Sequence, residues 1–196
     1  MKKDFLLAVI TKPDLFSGEA ALLKALLDAG ADKVHIRKPG ASYREVGALL
    51  EPLLCGGSAA RIVLHGFRKL AIHYGIRQVH QPWRDGWAEG LAISSSLHSW
   101  EEVKDIPAGK LEYAFISPLF DSISKTGYRG RSELLQCPAG LRPCRYIGLG
   151  GIDERNIGQL PAYGWDGAAV LGWIWERPEE ALSRWHTLKK IITHGA

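Results

Sequence analysis

Eight short apolar runs, most of them separated by segments with helical patterning, constrain the fold of this chain more than any other feature. The runs are Phe5–Ile10, Lys33–Arg37, Arg61–Leu64, Arg77–Val79, Leu91–Ser94, Glu112–Ile116, Arg145–Gly148 and Asp166–Val170. Helices are expected at Gly18–Ala29, Ser42–Leu54, 67–74, 99–104, 153–162 and Pro178–His194. Strand alternating with helix favours parallel pairing and right-handed crossovers. Eight strands then predict a compact (β/α)8 TIM barrel, with some short or reduced helices, over an open doubly wound sheet.

Length and composition limit the number of domains and the classes of partner. A chain of 196 residues with 46% hydrophobic and 23% charged residues suits one buried core, so we expect a single barrel domain over 1–196. The net charge of +4 fits a small anionic ligand. The chain has no run of basic residues with interleaved aromatics, so nucleic acid is not an expected partner. A homo-oligomer stays open, since nothing in the sequence fixes the oligomeric state.

The cysteines and the N-terminus indicate a reducing compartment. Three cysteines, Cys55, Cys137 and Cys144, are odd in number and lack CxxC spacing, so free thiols are expected. The apolar run after the N-terminal lysines is too short for a signal peptide or a membrane span. We therefore expect a cytoplasmic protein that does not interact with membranes.

The loop after the sixth apolar run is rich in donors for a phosphate. Ser122 and Ser124 precede Lys125 directly, and phosphate oxygens accept several charge-assisted hydrogen bonds at once. Ser, Thr, Gly and Asp are also ordinary turn residues, so a purely structural loop is the alternative.

Glycines end the last two apolar runs. Gly150 and Gly151 follow the seventh run, and Gly172 follows the eighth. Loops without side chains let backbone N–H groups approach a ligand closely. Paired phosphate loops after the last two strands also recur in (β/α)8 barrels. We expect these glycines to bind a substrate phosphate.

Imidazoles collect at the ends of the central strands, where a barrel carries its active site. His35, His65, His80 and His98 each end or follow a strand, and Arg37 lies beside His35. A single histidine is more often a structural hydrogen-bonding residue than a catalyst, but four at one rim beside an arginine favour a site. A metal site is conceivable from these imidazoles, although no HxH or HxxxH spacing supports it.

Tryptophans give a second ambiguous signal. Trp83 and Trp87 lie in a loop at the expected mouth, where they serve either as core or lid residues or as a stacking surface for a planar ligand. Trp165, Trp173 and Trp175 are expected to pack helices onto the barrel.

In this order, the segments resemble the thiamine-phosphate synthase family and its relatives, the thiazole tautomerases, over nearly the whole chain. The matching motifs are Val79-His80, Ser95-Ser96-Leu97-His98-Ser99, Ile116–Phe120 with Ser122, Ser124 and Lys125, Gly150-Gly151-Ile152 and Asp166–Val170. The resemblance implies a (β/α)8 barrel transferase of thiamine biosynthesis. Such an enzyme couples hydroxymethylpyrimidine diphosphate to thiazole phosphate, with Mg²⁺, and releases diphosphate. Its substrates are thus small phosphorylated heteroaromatic molecules.

The resemblance also implies roles for individual residues. Arg37, Ser122, Ser124 and Lys125 are expected to contact phosphate groups, and the backbone at Gly151 and Gly172 is expected to hold the thiazole phosphate. Asp85 is the expected Mg²⁺ ligand.

The rim histidines add to this set from their position alone, without a precedent in the family. The expected catalytic residues are then Lys125, Arg37, His65 and His98. The expected substrate- and phosphate-binding residues are His35, Ser122, Ser124, Gly150, Gly151 and Gly172.

The chain departs from the family pattern after strand three. The synthases carry Asn-Asp-Arg there, with an aspartate that binds Mg²⁺, whereas this chain carries His65-Gly66-Phe67. Two alternatives stay open beside the synthase. One is a metal-independent thiazole phosphate tautomerase that uses His35, His65 or His98 as acid and base. The other is a non-catalytic protein that binds thiamine phosphates.

Overall fold

The protein folds as a closed barrel of eight parallel strands, which confirms the expected fold. The computed structural model describes residues 5–86, 90–121 and 129–194. The strands pair in chain order from β1 to β8, and β8 pairs with β1. They are β1 Leu6–Ile10, β2 Lys33–Ile36, β3 Ile62–His65, β4 Gln78–His80, β5 Ala92–Leu97, β6 Tyr113–Ile116, β7 Arg145–Leu149 and β8 Gly167–Val170.

The helices around the barrel are unequal in length. They are α1 Glu19–Asp28, α2 Tyr43–Leu50, α3 Arg68–His73, α4 Trp100–Lys104, α5 Gly172–Trp175 and α6 Ala181–His194. Further 3₁₀ turns are Glu51–Leu53, Ser58–Arg61, Trp83–Asp85, Ser132–Leu134, Ile157–Gln159 and Pro178–Glu180. In the described residues no helix is both long enough and apolar enough to cross a membrane.

Two of the expected helices differ from the structure for local reasons. The helix expected over 153–162 is only a 3₁₀ turn at Ile157–Gln159. The helix expected to run from Ser42 to Leu54 ends at Leu50 and continues as a 3₁₀ turn, because Pro52 cannot donate the next helical hydrogen bond. Its expected start is confirmed, since Ser42 and Glu45 form a reciprocal capping box.

The barrel separates two cores that have different chemistry. Outward side chains of the strands, among them Leu7, Val9, Val34 and Leu64, pack with the helices in one large apolar cluster. A smaller cluster fills one side of the barrel interior: Leu6, Ala8, Ile10, Tyr113, Phe115, Ile147 and Ala169. The opposite side of the interior, built by β2 to β5, holds polar side chains. The interior is therefore filled by side chains. Its polar half is formed by the strands that carry the histidines.

A buried ion pair between Lys38 and Glu19 connects the loop after β2 to the loop after β1. Lys38 Nζ donates to Glu19 Oε1 at 2.6 Å and to the carbonyl oxygens of Lys12 and Asp14 at 2.8 and 2.9 Å. Both side chains are almost fully inaccessible to solvent. All three protons of the ammonium group therefore have acceptors, and Arg37 is held directly beside this anchor.

Removing the ammonium group from this pair is expected to destabilise the fold strongly. Lys38→Met leaves the Glu19 carboxylate buried without its cation, which typically costs about 3–5 kcal/mol in free energy of unfolding. Urea unfolding measures this loss. The matched control is Lys24→Met, which removes the exposed ion pair between Lys24 and Asp28 and should cost less than about 1 kcal/mol. Equal losses in the two variants would contradict the anchoring role of Lys38.

Candidate active site at the mouth of the barrel

A cavity of about 590 Å³ opens at the carboxyl end of the barrel. Every strand contributes to it, either with its last residues or with a residue that directly follows. The lining residues are Ile10, Arg37, His65, Gly66, His80, Gln81, Pro82, Ser96, His98, Phe115, Leu149 and Leu171. One side of the cavity is apolar, and the other carries imidazole, guanidinium, amide and hydroxyl groups. Such a lining suits a ligand with a flat apolar part and an anionic part.

Three imidazoles form a connected group at this end of the barrel, which we call the histidine cluster (His35, His65 and His80). His35 Nδ1 lies 3.0 Å from His65 Nε2, and the rings of His65 and His80 stack with centroids 4.2 Å apart. His35 Nε2 is 2.8 Å from the hydroxyl of Tyr113. The cluster therefore extends from the cavity, where His65 and His80 are part of the lining, down to the fully buried His35.

His80 is held by two serine side chains of β5. Its Nδ1 lies 2.9 Å from the hydroxyl of Ser94, and its Nε2 lies 2.9 Å from the hydroxyl of Ser96. Because a neutral imidazole has one donor and one acceptor nitrogen, one serine accepts a hydrogen bond and the other donates one.

Burial keeps the histidine cluster neutral near pH 7. Desolvation is the main cause that lowers the pKa of all three rings, and nearby positive charge adds to it. The pKa of His80 falls to about 4, with Arg37 as the second cause. Burial also raises the pKa of the Tyr113 hydroxyl, so this group stays protonated. The group is thus a hydrogen-bonded network of neutral side chains inside the barrel.

Arg37 lies in the cavity lining just after β2, and its backbone is fixed by Thr11 at the end of β1. The N–H of Arg37 donates to Thr11 Oγ1 at 2.9 Å, and the hydroxyl of Thr11 donates to the carbonyl oxygen of Arg37 at 3.2 Å. Together with the adjacent Lys38 anchor, this pair of bonds fixes the backbone from which the exposed Arg37 side chain reaches the cavity. An exposed guanidinium group at this position suits a phosphate oxygen.

His98 also lines the cavity, and one hydrogen bond fixes its tautomer. Its Nδ1 is 3.1 Å from the carbonyl oxygen of Ser117, which can only accept a hydrogen bond. In the neutral ring the proton is therefore on Nδ1, and Nε2 carries the lone pair. His98 thus offers one acceptor nitrogen for a proton or for a donor group of a ligand.

The glycine pair after β7 packs tightly against the loop after β6. Gly150 and Gly151 have φ values of 100° and 63°. A Cβ atom on Gly151 would lie 2.7 Å from the carbonyl carbon of Phe120, so a larger residue would displace that loop. Phe120 donates its N–H to the carbonyl oxygen of Gly150 at 3.1 Å, and Gly130 donates its N–H to Asp121 Oδ1 at 2.8 Å. Residues on both sides of the segment 122–128 are thus tied together beside the glycine pair.

The structure brings together some of the expected site residues and separates others. Arg37, His65 and His98 line the same cavity. Ser122, Ser124 and Lys125 lie outside the described residues, as does Trp87. Gly172 is half-buried and begins the short helix α5 shortly after β8.

The expectation that His35 contacts a substrate phosphate is not supported. The His35 side chain is fully buried beneath the cavity, and both of its nitrogens are engaged by His65 and Tyr113. Its parity on β2 points it into the interior, one layer below the residues that line the cavity.

Among the lining residues that were not expected, Gln81 and Phe115 had a signal in the sequence. Gln81 directly follows His80, and its side chain bridges Arg68 Nε and the carbonyl oxygen of Gly86 at 2.8 Å each. Phe115 lies one inward position beyond Tyr113 on β6 and forms part of the cavity wall. The period of two along a strand predicts both inward positions on β6, but the depth of each layer depends on how the strands are staggered.

The residues present do not fit a magnesium ion. Mg²⁺ takes oxygen ligands, mainly carboxylates, phosphates and water. The cavity lining contains no carboxylate within the described part of the chain, and Asp85 is exposed in the 3₁₀ turn after β4, outside that lining. The role expected for Asp85 stays a prediction without structural support.

The tryptophans of the last strand region pack as expected. Trp165 Nε1 donates to the carbonyl oxygen of Leu135 at 2.8 Å, and Trp175 Nε1 donates to that of Ile10 at 2.6 Å. Both side chains are buried. Trp83 is half-buried against the outer core rather than part of the cavity lining.

Comparisons with known proteins give a consistent result. The family model described as thiamine monophosphate synthase matches residues 7–174. A thiamine-phosphate synthase of Listeria welshimeri is 28% identical over 173 residues, which cover 79% of this chain and 83% of that protein. One of Listeria innocua is 26% identical, with 90% of this chain and 89% of the relative covered.

Solved structures of the same kind superimpose well. The crystal structure of a thiamine phosphate pyrophosphorylase from Bacteroides thetaiotaomicron has a TM-score of 0.80 at 27% identity, and covers 96% of this chain and 98% of its own. One from Pyrococcus furiosus has a TM-score of 0.74 at 23% identity, with 98% of both chains covered, and supports the fold alone.

Protonation of the histidine cluster is expected to destabilise the fold as the pH falls. The pKa of His80 is about 4 when folded and about 6.5 in an unfolded chain, so the unfolded state binds an extra proton between these values. The free energy of unfolding should be highest above about pH 6.5. Below that pH it should fall by up to about 1.4 kcal/mol per pH unit for each such histidine. Urea unfolding of chelator-treated protein between pH 7.5 and pH 5 measures this slope.

Two variants distinguish the contribution of the histidine cluster to this pH slope from the contribution of other titrating groups. His80→Gln should reduce the pH slope, whereas His73→Gln, at an exposed position on α3, should leave it unchanged. A slope in His80→Gln equal to that of the parent protein would refute the neutral buried state of His80.

Proposed function

Because the chain belongs to the thiamine monophosphate synthase family, which supports a role in thiamine biosynthesis, we propose that it is a transferase that forms thiamine phosphate. It joins hydroxymethylpyrimidine diphosphate to thiazole phosphate and releases diphosphate. The observation that carries this proposal is the cavity at the carboxyl ends of the strands. This cavity combines an exposed guanidinium group on a clamped backbone, several hydrogen-bond donors and an apolar wall.

The cavity suits both parts of such substrates. Ile10, Phe115, Leu149 and Leu171 supply an apolar surface for a planar heteroaromatic ring. Arg37 supplies positive charge, and no carboxylate of the described residues opposes it in the lining. Anionic groups are therefore favoured on the Arg37 side.

Departure of the diphosphate requires donors where negative charge accumulates. Arg37 is proposed to stabilise that charge, together with Lys125, Ser122 and Ser124 of the loop after β6. The glycine backbone at Gly150 and Gly151, together with Gly172, is proposed to hold the phosphate of the thiazole. In support of this arrangement, Asp121 packs against Gly151, and Gly130, on the other side of the loop segment, donates its N–H to Asp121.

His65 and His98 are proposed to orient the substrates within the cavity. The proton of His98 is held on Nδ1 by the carbonyl oxygen of Ser117, so Nε2 can accept a hydrogen bond from a substrate amino or hydroxyl group. His65 stacks on His80 and is braced from below by His35, so its ring is held in a fixed plane.

A second function is favoured by one specific observation. The cavity lining offers imidazoles and, within the described residues, no carboxylate. A thiazole phosphate tautomerase needs a general acid and a general base rather than a metal, and His98 and His65 can fill those roles. A protein that binds thiamine phosphates without turnover would keep the same phosphate contacts.

One assay separates these three functions. Purified protein is incubated with the pyrimidine diphosphate and the thiazole phosphate, with and without Mg²⁺, and thiamine phosphate is measured. The proposed function predicts that thiamine phosphate forms at a rate proportional to the enzyme concentration. No product, together with isomerisation of the thiazole phosphate and a bell-shaped pH profile, would replace the synthase by the tautomerase. Tight binding without either reaction would leave the binding protein.

Loss of the Arg37 guanidinium group is expected to reduce kcat/KM. A charge-assisted hydrogen bond contributes about 1.5–3 kcal/mol, so Arg37→Ala should lower kcat/KM by roughly 10- to 150-fold. The control is Arg77→Ala, which removes the same charge at an exposed position before β4, at the other end of the barrel. Unchanged kinetics in Arg37→Ala, or equal losses in both variants, would show that Arg37 does not bind the substrate.

A further inference from the structure

We propose that the histidine cluster binds one divalent transition-metal ion of the Zn²⁺ class, with an open coordination position toward the cavity. The ligands are His35, His65 and His80, from the consecutive strands β2, β3 and β4. They are the one group of three or more potential ligands in the described ranges whose ligand atoms all lie within 4.8 Å of one another.

The spacing of the ring nitrogens is close to what a metal requires. Two imidazole nitrogens bound to Zn²⁺ at about 2.0–2.1 Å in tetrahedral geometry are roughly 3.3 Å apart. His35 Nδ1 and His65 Nε2 are 3.0 Å apart, so a small separation of these rings admits an ion between them. His80 becomes the third ligand when one of its ring nitrogens gives up its hydrogen bond to Ser94 or Ser96 and binds the ion instead.

Two of the three proposed ligands, His35 and His80, already have a hydrogen-bond partner that can fix the orientation of the ring. His35 keeps Tyr113 on its Nε2 while its Nδ1 faces the ion. His80 keeps either Ser94 or Ser96 on the nitrogen that does not bind. Ligating histidines in proteins almost always donate their second N–H to such a partner.

Neutral imidazole is the form that binds a metal. Because an ordinary histidine has a pKa of about 6.5, ligation at pH 7.5 needs little proton release. Nitrogen ligands select Zn²⁺, Co²⁺, Ni²⁺ or Cu²⁺ over Mg²⁺. The fourth position is expected to face the cavity, since His65 and His80 line it and His35 lies beneath them. Water or an anionic oxygen would occupy that position, near Arg37.

The first test is a titration of chelator-treated protein with Co²⁺. One equivalent should bind and give the intense visible absorption of a four-coordinate Co²⁺ ion. Zn²⁺ at one equivalent should remove this absorption, whereas millimolar Mg²⁺ should not. Binding can be measured without turnover, so its failure would leave the proposed synthase reaction untouched. Absence of four-coordinate Co²⁺ would overturn the metal site.

Variants then locate the ion. His65→Gln should weaken Co²⁺ binding by more than about 100-fold, beyond the range typical for loss of an outer partner. Tyr113→Phe removes only the hydroxyl on His35 and should weaken binding by about 10- to 100-fold. If His65→Gln fails to fold, Tyr113→Phe provides the same test with a smaller change.

A matched control excludes surface binding. His73, His186 and His194 are exposed on α3 and α6. The triple variant His73→Gln, His186→Gln and His194→Gln should bind one Co²⁺ with unchanged affinity and spectrum. Loss of binding in this triple variant, or unchanged binding in Tyr113→Phe, would contradict the assignment to the histidine cluster.

Discussion

The interior of a closed eight-stranded barrel is just wide enough for side chains to fill, and every second residue of each strand must enter it. In this protein the requirement is met unequally. Strands β1, β6, β7 and β8 contribute apolar or aromatic side chains, whereas β2 to β5 contribute imidazoles and serine hydroxyls. A polar interior is stable only when its donors and acceptors are paired. The network from Ser96 and Ser94 through His80, and from His65 through His35 to Tyr113, supplies those pairs.

That network gives the cavity its chemical character. A buried imidazole is neutral because desolvation lowers its pKa, so the floor of the cavity is a set of lone pairs and N–H groups rather than a patch of positive charge. Positive charge comes instead from Arg37 at the rim, where its backbone is clamped to Thr11. The buried Lys38–Glu19 pair holds the same loop in place. Charge at the rim and neutrality below it together suit a ligand whose phosphate stays near solvent while its ring enters the barrel.

Much of the fold could be predicted from the sequence. The eight apolar runs predicted the eight strands with small errors at their ends, and Ser42 with Glu45 predicted the start of α2, because a capping box is a local interaction. The predicted helix over 153–162 was wrong, since only a 3₁₀ turn forms there. Helix α5 was missed because its four residues, rich in tryptophan, follow β8 without a cap and depend on tertiary packing of Ile174 and Trp175.

The candidate site was predictable in location and less so in detail. Parallel strands in a barrel place their carboxyl ends together, so Arg37, His65 and His98 were expected at one mouth, and all three line the cavity. The order of the strands predicted His35, His65 and His80 at one rim, but not that their rings contact one another, because they lie 30 and 15 positions apart along the chain. Their proximity arises from the pairing of adjacent strands.

The sequence by itself determined the order of the strands, the face on which each side chain lies and the surplus of donors at the carboxyl ends, since these depend on local periodicity and chain order. Only the tertiary structure decided the depth of each residue within the barrel. Depth depends on how far neighbouring strands are staggered as the sheet closes, and this is a property of all eight strands together. For that reason His35 lies buried against Tyr113, whereas His65, from the next strand, reaches the cavity.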